Sequence, residues 1–489
     1  MSTQSIGAAK NITTAVAYDP RRWLALAVLL AAQFMYILDI FIVNIALPSI
    51  QATLHASFGQ AQLVVALYLL AYSVVLITGG RLGDLLGRKR MFVCGLLGFT
   101  LASGLCGLAP TPPFLILARV LQGVFGALMT PQVVAMIQVS FPTHERSTAF
   151  AIFGTVMGLA GIVGQVGGGV LVGINLFGLA WRPIFLVNVP VGALAFCAAL
   201  PMLRESRASH VRHLDLVGVG LLSLGLLLLV YPLVVGQDAG WPVWTIVCLL
   251  LSLPVLGLFI GYERWKTMRD GSPLIDLELF RERAFVSGLL VTLTLYACLT
   301  PFSLVLSFFL QSGLRQTSLV AGLTFLPIAV GFFLASTLSS RVMPRLGRNI
   351  LTLGTLIMGA GIVLTAVVVS IWGRLAAGYM FIPAFLLYGF GQGWLVAPLI
   401  NIVLECIQHH HAGSASGVLL TMQQVAGSFG VAVIGILFFG VLRAQGKAIN
   451  SAMLSDHYAW AFVIALLYLA GLLVANLLLG FLLPRRREG

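Results

Sequence analysis

Charge is what this sequence has least of. Its 15 Asp and Glu and 28 Lys and Arg make up 9% of 489 residues, whereas soluble domains carry about 25%. With 59% of residues hydrophobic and a mean hydropathy of +1.03, the apolar surface exceeds what the core of a soluble domain can hide, which excludes a water-soluble fold. Cysteine chemistry is also missing. Cys94, Cys106, Cys197, Cys248, Cys298 and Cys406 are scattered through or beside apolar runs, without a CxxC pair and without a histidine at ligand spacing. That excludes a disulfide framework and a thiolate metal site, and leaves six small packing residues. No Ser/His/Asp set, HExxH, phosphate loop or facing pair of acids is present, which argues against an enzyme. No ring of acids or filter-like run supports a channel. His409, His410 and His411 adjoin Glu405 and Cys406, but consecutive residues cannot readily converge on one ion. No metal and no cofactor is expected. The net charge of +13 would suggest a nucleic-acid partner in a soluble protein. Here the basic residues sit in short segments between apolar runs, so the bilayer is the expected partner and nucleic acid is not.

What the chain has in abundance is long apolar runs. A spanning helix needs ~20 apolar residues, and such runs occur at 23–47, 60–80, 91–109, 113–133, 148–173, 183–203, 214–235, 243–262, 284–310, 318–340, 350–370, 376–400, 414–441 and 459–483. The expected fold is all-α and integral to the membrane, with 14 transmembrane helices. The polar segment before the first span is not followed by a short signal-peptide core, so no cleaved leader is expected. If the N-terminus is cytoplasmic, 22 Lys and Arg fall on the inner side and five on the outer, Arg119 completing the 28. This bias places both termini in the cytoplasm, requires an even number of spans and suits a cell inner membrane. The longest inner loop runs from Glu263 to Arg283, after a tight pair of spans. Removing that pair leaves six spans on either side. GRLGDLLGRKR at 80–90 and SRVMPRLGRNI at 340–350 both follow the second span of a set of six, aligning Gly87-Arg88 with Gly347-Arg348. The expected organisation is a cytoplasmic segment (1–22), a six-helix bundle (23–203), an inserted helix pair (214–262), a second six-helix bundle (284–483) and a basic tail (484–489). Paired halves around a midplane site are a common transporter plan.

Asp39, in LDIFIVNIALP, is the one acid that the span map places deep in the bilayer. It lies about nine residues, ~13 Å at helical rise, from Pro48, where the first span is expected to exit. A carboxylate at the bilayer centre costs about 3 kcal/mol or more, so it should face water or a partner and spend time protonated. Arg119 is the one base within a span, about six residues, ~9 Å, below Pro113. The similar depth allows an Asp39–Arg119 interaction, direct or through water. Making the pair would favour the carboxylate, and breaking it would favour the bound proton, as a proton-coupled cycle requires; the alternative is a static ion pair. Asn44 is expected to bond between helices. At the second loop, Asp84 and Arg88 suit a charge latch with glycines for a tight turn, whereas Lys89 and Arg90 only feed the inside-positive bias. The fifth span carries Gly154, Gly158, Gly161, Gly164, Gly167, Gly168 and Gly169, several on one face, suiting close packing or bending. Gln165 is a polar guest there, lining a cavity or bonding a neighbouring helix. Tyr36, Tyr72, Phe302, Phe308, Phe325 and Trp394 are candidates for an apolar lining. No deep acid occurs in the last six spans, which favours neutral or monovalent substrates.

These segments together resemble the major facilitator superfamily, and within it the fourteen-span drug:proton antiporters, over nearly the whole chain. LDIFIVNIALP resembles the first-helix motif L-D-x-T-x-V-N-x-A-L-P, with Phe41 at the threonine position. GRLGDLLGRKR fits the loop pattern G-x-L-x-D-x-x-G-R-[KR]-x, and LARVLQGVFGA fits R-x-x-Q-G, placing Arg119, Gln122 and Gly123. WRPIFLVNVPVG at 181–192 is similar to W-R-W-I-F-L-I-N-V-P-x-G, the most branch-specific match. The fifth-helix pattern G-P-x-x-G-G reads GQVGGG here, with Gln165 in the proline position. The resemblance implies multidrug efflux driven by proton influx through alternating access. It implies Asp39 as the protonation site, Arg119 with Gln122 as its coupling partners, and an inner gate of Gly80, Asp84, Gly87 and Arg88. The antiporter helix then carries Gly154, Gly158, Gly164, Gln165, Gly168 and Gly169; Tyr36, Tyr72, Phe302 and Trp394, on the expected inner-facing helices, are the candidates for the cavity lining. The expected partners are a small molecule, protons and lipid, in a monomer. The competing expectation is export or proton symport of one metabolite, lipid or siderophore.

Overall fold

Without water to bond a bare backbone, apolar segments in lipid satisfy their peptide groups internally, as helices. The computed structural model describes residues 20–207, 215–236, 239–270, 274–275, 277–405, 412–446 and 451–482, and holds no strand among them. The helices are α1 (Arg22–Leu54), α2 (Phe58–Leu86), α3 (Arg88–Gly107), α4 (Pro112–Ser140), α5 (Thr143–Ile174), α6 (Pro183–Leu186), α7 (Asn188–Met202), α8 (Leu216–Val235), α9 (Val243–Asp270), α10 (Arg283–Phe308), α11 (Ser318–Thr324), α12 (Leu326–Leu346), α13 (Asn349–Trp372), α14 (Ile382–Glu405), α15 (Ala412–Ala444) and α16 (Ser451–Gly480). They make 14 membrane-length spans, α6 with α7 and α11 with α12 each forming one broken span. The triple histidine at 409–411 and Cys406 lie outside the described residues.

Several expected span ends move. The first does not exit at Pro48, because α1 continues through it to Leu54. A proline inside a helix removes one donor, and the rest of the ladder holds where neighbouring helices support it. The loop expected from Glu263 begins instead after Asp270, since α9 runs on and carries Glu263 and Lys266 within it.

Helix pairing repeats. Among the first six spans, α2 packs on α4, α3 on α4, α1 on α5 and α3 on α7. Among the last six, α12 packs on α14, α13 on α14, α10 on α15 and α13 on α16, which is the same order of spans. Across the seam α2 meets α15, α5 meets α11 and α12, and α1 meets α10, so the second span of each set touches the fifth of the other. The inserted helices α8 and α9 pack together, and α8 also lies against both α2 and α15. Gly87 (φ 117°) and Gly347 (φ 52°), aligned in the sequence echo, both sit in the left-handed half of backbone space directly after α2 and α12. Only glycine tolerates that without strain.

The two sets of spans meet directly on the face away from the Asp84 end of α2. Gln311 Nε2 donates to Ile45 O at 2.7 Å. Phe58 stacks on Phe439 with centroids 4.3 Å apart, and Ser428 Oγ donates to Ala66 O at 2.8 Å. On α5, a Cβ added to Gly169 would lie 2.5 Å from Ser318 O and 3.1 Å from Gly322 Cα, both backbone atoms of α11. Nearer the other end of α5, a Cβ on Gly154 or Gly158 would meet nothing within 4 Å. The same substitution is therefore expected to act with opposite signs. Gly158→Ala should raise thermal stability by up to ~1 kcal/mol through helix propensity. Gly169→Ala should lower it by roughly 1–3 kcal/mol through overpacking. Equal effects in a melting assay would contradict this seam.

Candidate functional site

Asp39 and Arg119 meet directly, with no water needed between them. Close helix approaches bring them together. A Cβ on Gly123 would lie 2.5 Å from Tyr68 O, so α4 rides tightly on α2. One turn away, Arg119 Nε then reaches Val64 O at 3.2 Å, and its guanidinium lies 3.8 Å from the centre of the Tyr68 ring. Nη1 donates to Asp39 Oδ2 and to Gln122 Oε1 at 2.7 Å. Gln122 Nε2 donates to Asp39 Oδ1 at 2.9 Å and to Ser103 Oγ at 3.2 Å. Asp39 is 0% and Arg119 1% exposed, so neither face of the bilayer reaches them in this conformation.

The branch-specific segment at 181–192 completes the site. Trp181 Nε1 donates to Thr53 Oγ1 at 2.6 Å, and Arg182 Nη1 donates to Gly107 O at 2.9 Å, pinning the segment to the ends of α1 and α3. Phe185 O accepts from Ser103 Oγ at 3.0 Å. Gly192 lies against the Thr100 side chain, so α7 approaches α3 closely. Asn188 Nδ2 can then donate to Ser103 Oγ at 3.0 Å and, more weakly, to Asp39 Oδ1 at 3.4 Å. Cys106, expected only to pack, directs its Sγ to Gln122 Oε1 at 3.6 Å.

This network holds both charge states of the acid. With Asp39 ionised, the carboxylate offsets the guanidinium charge and accepts from Arg119, Gln122 and Asn188. With Asp39 protonated, Val64 O, Gln122 Oε1 and the Tyr68 face remain to hold the Arg119 cation. Arg119 would thus keep hydrogen-bond acceptors in either charge state of the acid.

The other expected site residues are distributed as follows. Asp84, in the last turn of α2, and Arg88, the first residue of α3, pair at 2.9 Å across the turn at Gly87, within the first set of spans. The anchor of this turn is Glu205, which sequence reading passed over. Glu205 accepts from Lys89 N at 3.0 Å and Arg90 N at 3.3 Å, crowding Gly87. Gly80 packs on Pro131, with 3.7 Å to the position a Cβ would take. Gly164 and Gly168 seat α5 against Leu38 and Ile42 of α1, straddling the turn of Asp39. Gln165 is buried, its backbone carbonyl facing Gly322.

Of the four lining candidates, only Tyr36 and Tyr72 meet, stacked at 4.8 Å, with Gln424 of α15 reaching the Tyr36 hydroxyl across the seam at 3.4 Å. Phe302 is buried within the second set of spans, stacked on Tyr388 at 4.2 Å. Trp394 packs on Phe390 and against Gly354 of α13. Helical spacing does not say which neighbour a face meets, and these two face other helices of their own half. Asn44 does not bond between helices either; its Nδ2 turns back to Ile40 O at 3.3 Å. Asp39 is also not the sole buried acid, because Asp215 (2% exposed) and Glu263 (0%) are enclosed beside α8.

Residues 29–431 match the family model described as Major Facilitator Superfamily. The chain is 39% identical over 429 residues to the "Probable actinorhodin transporter" of Streptomyces coelicolor, covering 88% of this chain and 74% of that one. It is 35% identical over 473 residues to the "Puromycin resistance protein pur8" of Streptomyces alboniger, covering 95% and 92%. It is 32% identical over 428 residues to the "Tetracenomycin C resistance and export protein" of Streptomyces glaucescens, covering 85% and 76%. Among solved structures, a bacterial homolog of the human lysosomal transporter Spinster superposes with a TM-score of 0.67 at 16% identity, covering 96% and 97% of the two chains. A POT family transporter gives 0.65 at 14% identity, covering 93% and 96%. The paired helix order, the loop and helix motifs and these similarities agree: the chain belongs to the Major Facilitator Superfamily.

Proposed function

We propose that this protein is a proton-coupled antiporter that exports small hydrophobic or amphipathic compounds across the cell inner membrane, with both termini in the cytoplasm. The observation that carries the reading is the enclosed Asp39–Arg119–Gln122–Asn188 network, which sits wholly within the first six spans and accommodates either charge state of the acid. A carboxyl sealed from both faces exchanges its proton only when the halves rearrange, so proton passage and rearrangement are linked. The protein works without a cofactor, as a monomer and not as an enzyme. The relatives named for resistance and export support the outward direction. Each of these names specifies one compound, which favours a narrow substrate range as the second reading.

The test is uptake of an apolar aromatic dye into everted membrane vesicles containing the protein. Acidifying the lumen should drive accumulation, and a protonophore should reduce it to the level of vesicles lacking the protein. Accumulation that survives collapse of the gradient would exclude proton coupling.

A further inference from the structure

The inserted helix pair carries a second cluster of ionisable groups that the transport site does not use. Asp215, directly before α8, caps that helix by accepting from Gly218 N at 2.9 Å. The same oxygen, Oδ1, accepts from Tyr262 Oη at 3.1 Å and Lys266 Nζ at 3.0 Å, both on α9. One turn of α9 supplies Glu263, whose Oε2 accepts from Ile275 N at 3.1 Å and so ties down the segment after α9. The other two carboxyl oxygens, Asp215 Oδ2 and Glu263 Oε1, are buried and have no hydrogen-bond partner. Both crowd the space that a Cβ on Gly218 would fill, Asp215 Oδ2 at 2.7 Å from it.

Two enclosed carboxylate oxygens turned toward one spot repel if both groups are ionised. One proton between them turns the repulsion into a hydrogen bond and satisfies both orphaned atoms. We propose that Asp215 and Glu263 share a single proton and form a second proton-binding site, at the end of the inserted helix pair on the Asp84 side. The electrostatic surroundings are compatible with one net negative charge. Lys266 and Tyr262 contribute from α9, and Arg81, the residue after Gly80 of the gate motif, interacts with both acids from α2. The turn Leu277–Arg281, packed on α9, carries Glu278 and Arg281. The only ionisable residue among the described part of α15, which also packs on α8, is Arg443 at the far end of that helix.

The position gives the site its consequence. Helix α8 lies against α2 and α15, one helix from each half, and Arg81, which feels the charge of both acids, precedes Asp84 by three residues on α2. Loss of the shared proton doubles the negative charge beside Arg81 and removes the Asp215–Glu263 bond, leaving Tyr262 and Lys266 as the ties between the base of α8 and α9. The inserted pair thereby senses pH on the Asp84 side, where the export reading places the cytoplasm.

The site is tested on purified full-length protein by infrared difference spectroscopy between neutral and alkaline pH. The Asp39→Asn background removes the transport-site carboxyl. A carbonyl-stretch band of a protonated carboxyl, lost on alkalinisation, is expected in this background. It should disappear when Glu263→Gln is added, and Asp215→Asn should remove or displace it. Gln keeps the acceptor for Ile275 N, and Asn keeps the cap on Gly218, so both variants retain the local bonds. No band in the background, or a band indifferent to Glu263→Gln, would overturn the proposal. The readout needs no transport, so a negative result here leaves the export reading intact, and failed dye accumulation leaves this one intact.

Discussion

Asp39→Asn is expected to abolish gradient-driven transport while leaving a folded protein that still binds substrate. The side chains are nearly isosteric, but the amide cannot exchange a proton. The variant should fold because Arg119 keeps Val64 O, Gln122 Oε1 and the face of Tyr68 when the carboxylate is gone. A fall to the level of empty vesicles in dye accumulation, with substrate-induced thermal stabilisation retained, is the expected pair of results. Transport at the wild-type rate would remove Asp39 from the coupling mechanism.

Arg119→Gln should also cost stability. It leaves Asp39 fully enclosed with its ionic partner removed, a change that costs about 3–5 kcal/mol in buried pairs. Combining it with Asp39→Asn should recover much of that loss, because the double variant buries no unpaired charge. The measurement is a double-mutant cycle on thermal unfolding. The two single losses should exceed the double loss by roughly 0.5–3 kcal/mol, the range for residues in one network. Additive losses would show that the pair is not energetically coupled in the folded protein.

How much of this site was visible in the sequence depends on how each residue announces itself. A charge inside an apolar run stands out against its background, which is why Asp39 and Arg119 are legible without coordinates. Asn188 and Ser103 have no such contrast, since both are ordinary small polar residues. Asn188 did lie inside the most branch-specific segment, and that segment's geometry explains its residues: Trp181 and Arg182 anchor it, Gly192 lets it close on α3, and Asn188 reaches the acid. Glu263 was hidden for another reason. Hydropathy ended its helix at the first charged residues, whereas α9 continues through them to Asp270. The aromatic lining failed where helical facing is ambiguous: Phe302 and Trp394 turn to neighbours within their own half, and only Tyr36 and Tyr72 form a pair near the seam.

The sequence by itself determined the helical spans, their even number and the presence of two opposite charges inside the first and fourth of them. Each follows from the free energy of placing apolar and charged groups in or out of lipid, residue by residue. Only the tertiary structure decided which helix faces meet, because lipid-like side chains gain little from one helical neighbour over another. Close contacts at glycines and satisfaction of buried polar atoms choose among them. Those choices put Asn188 and Ser103 beside Asp39, paired Asp84 with Arg88 across the turn between α2 and α3, and turned the free oxygens of Asp215 and Glu263 toward the same spot.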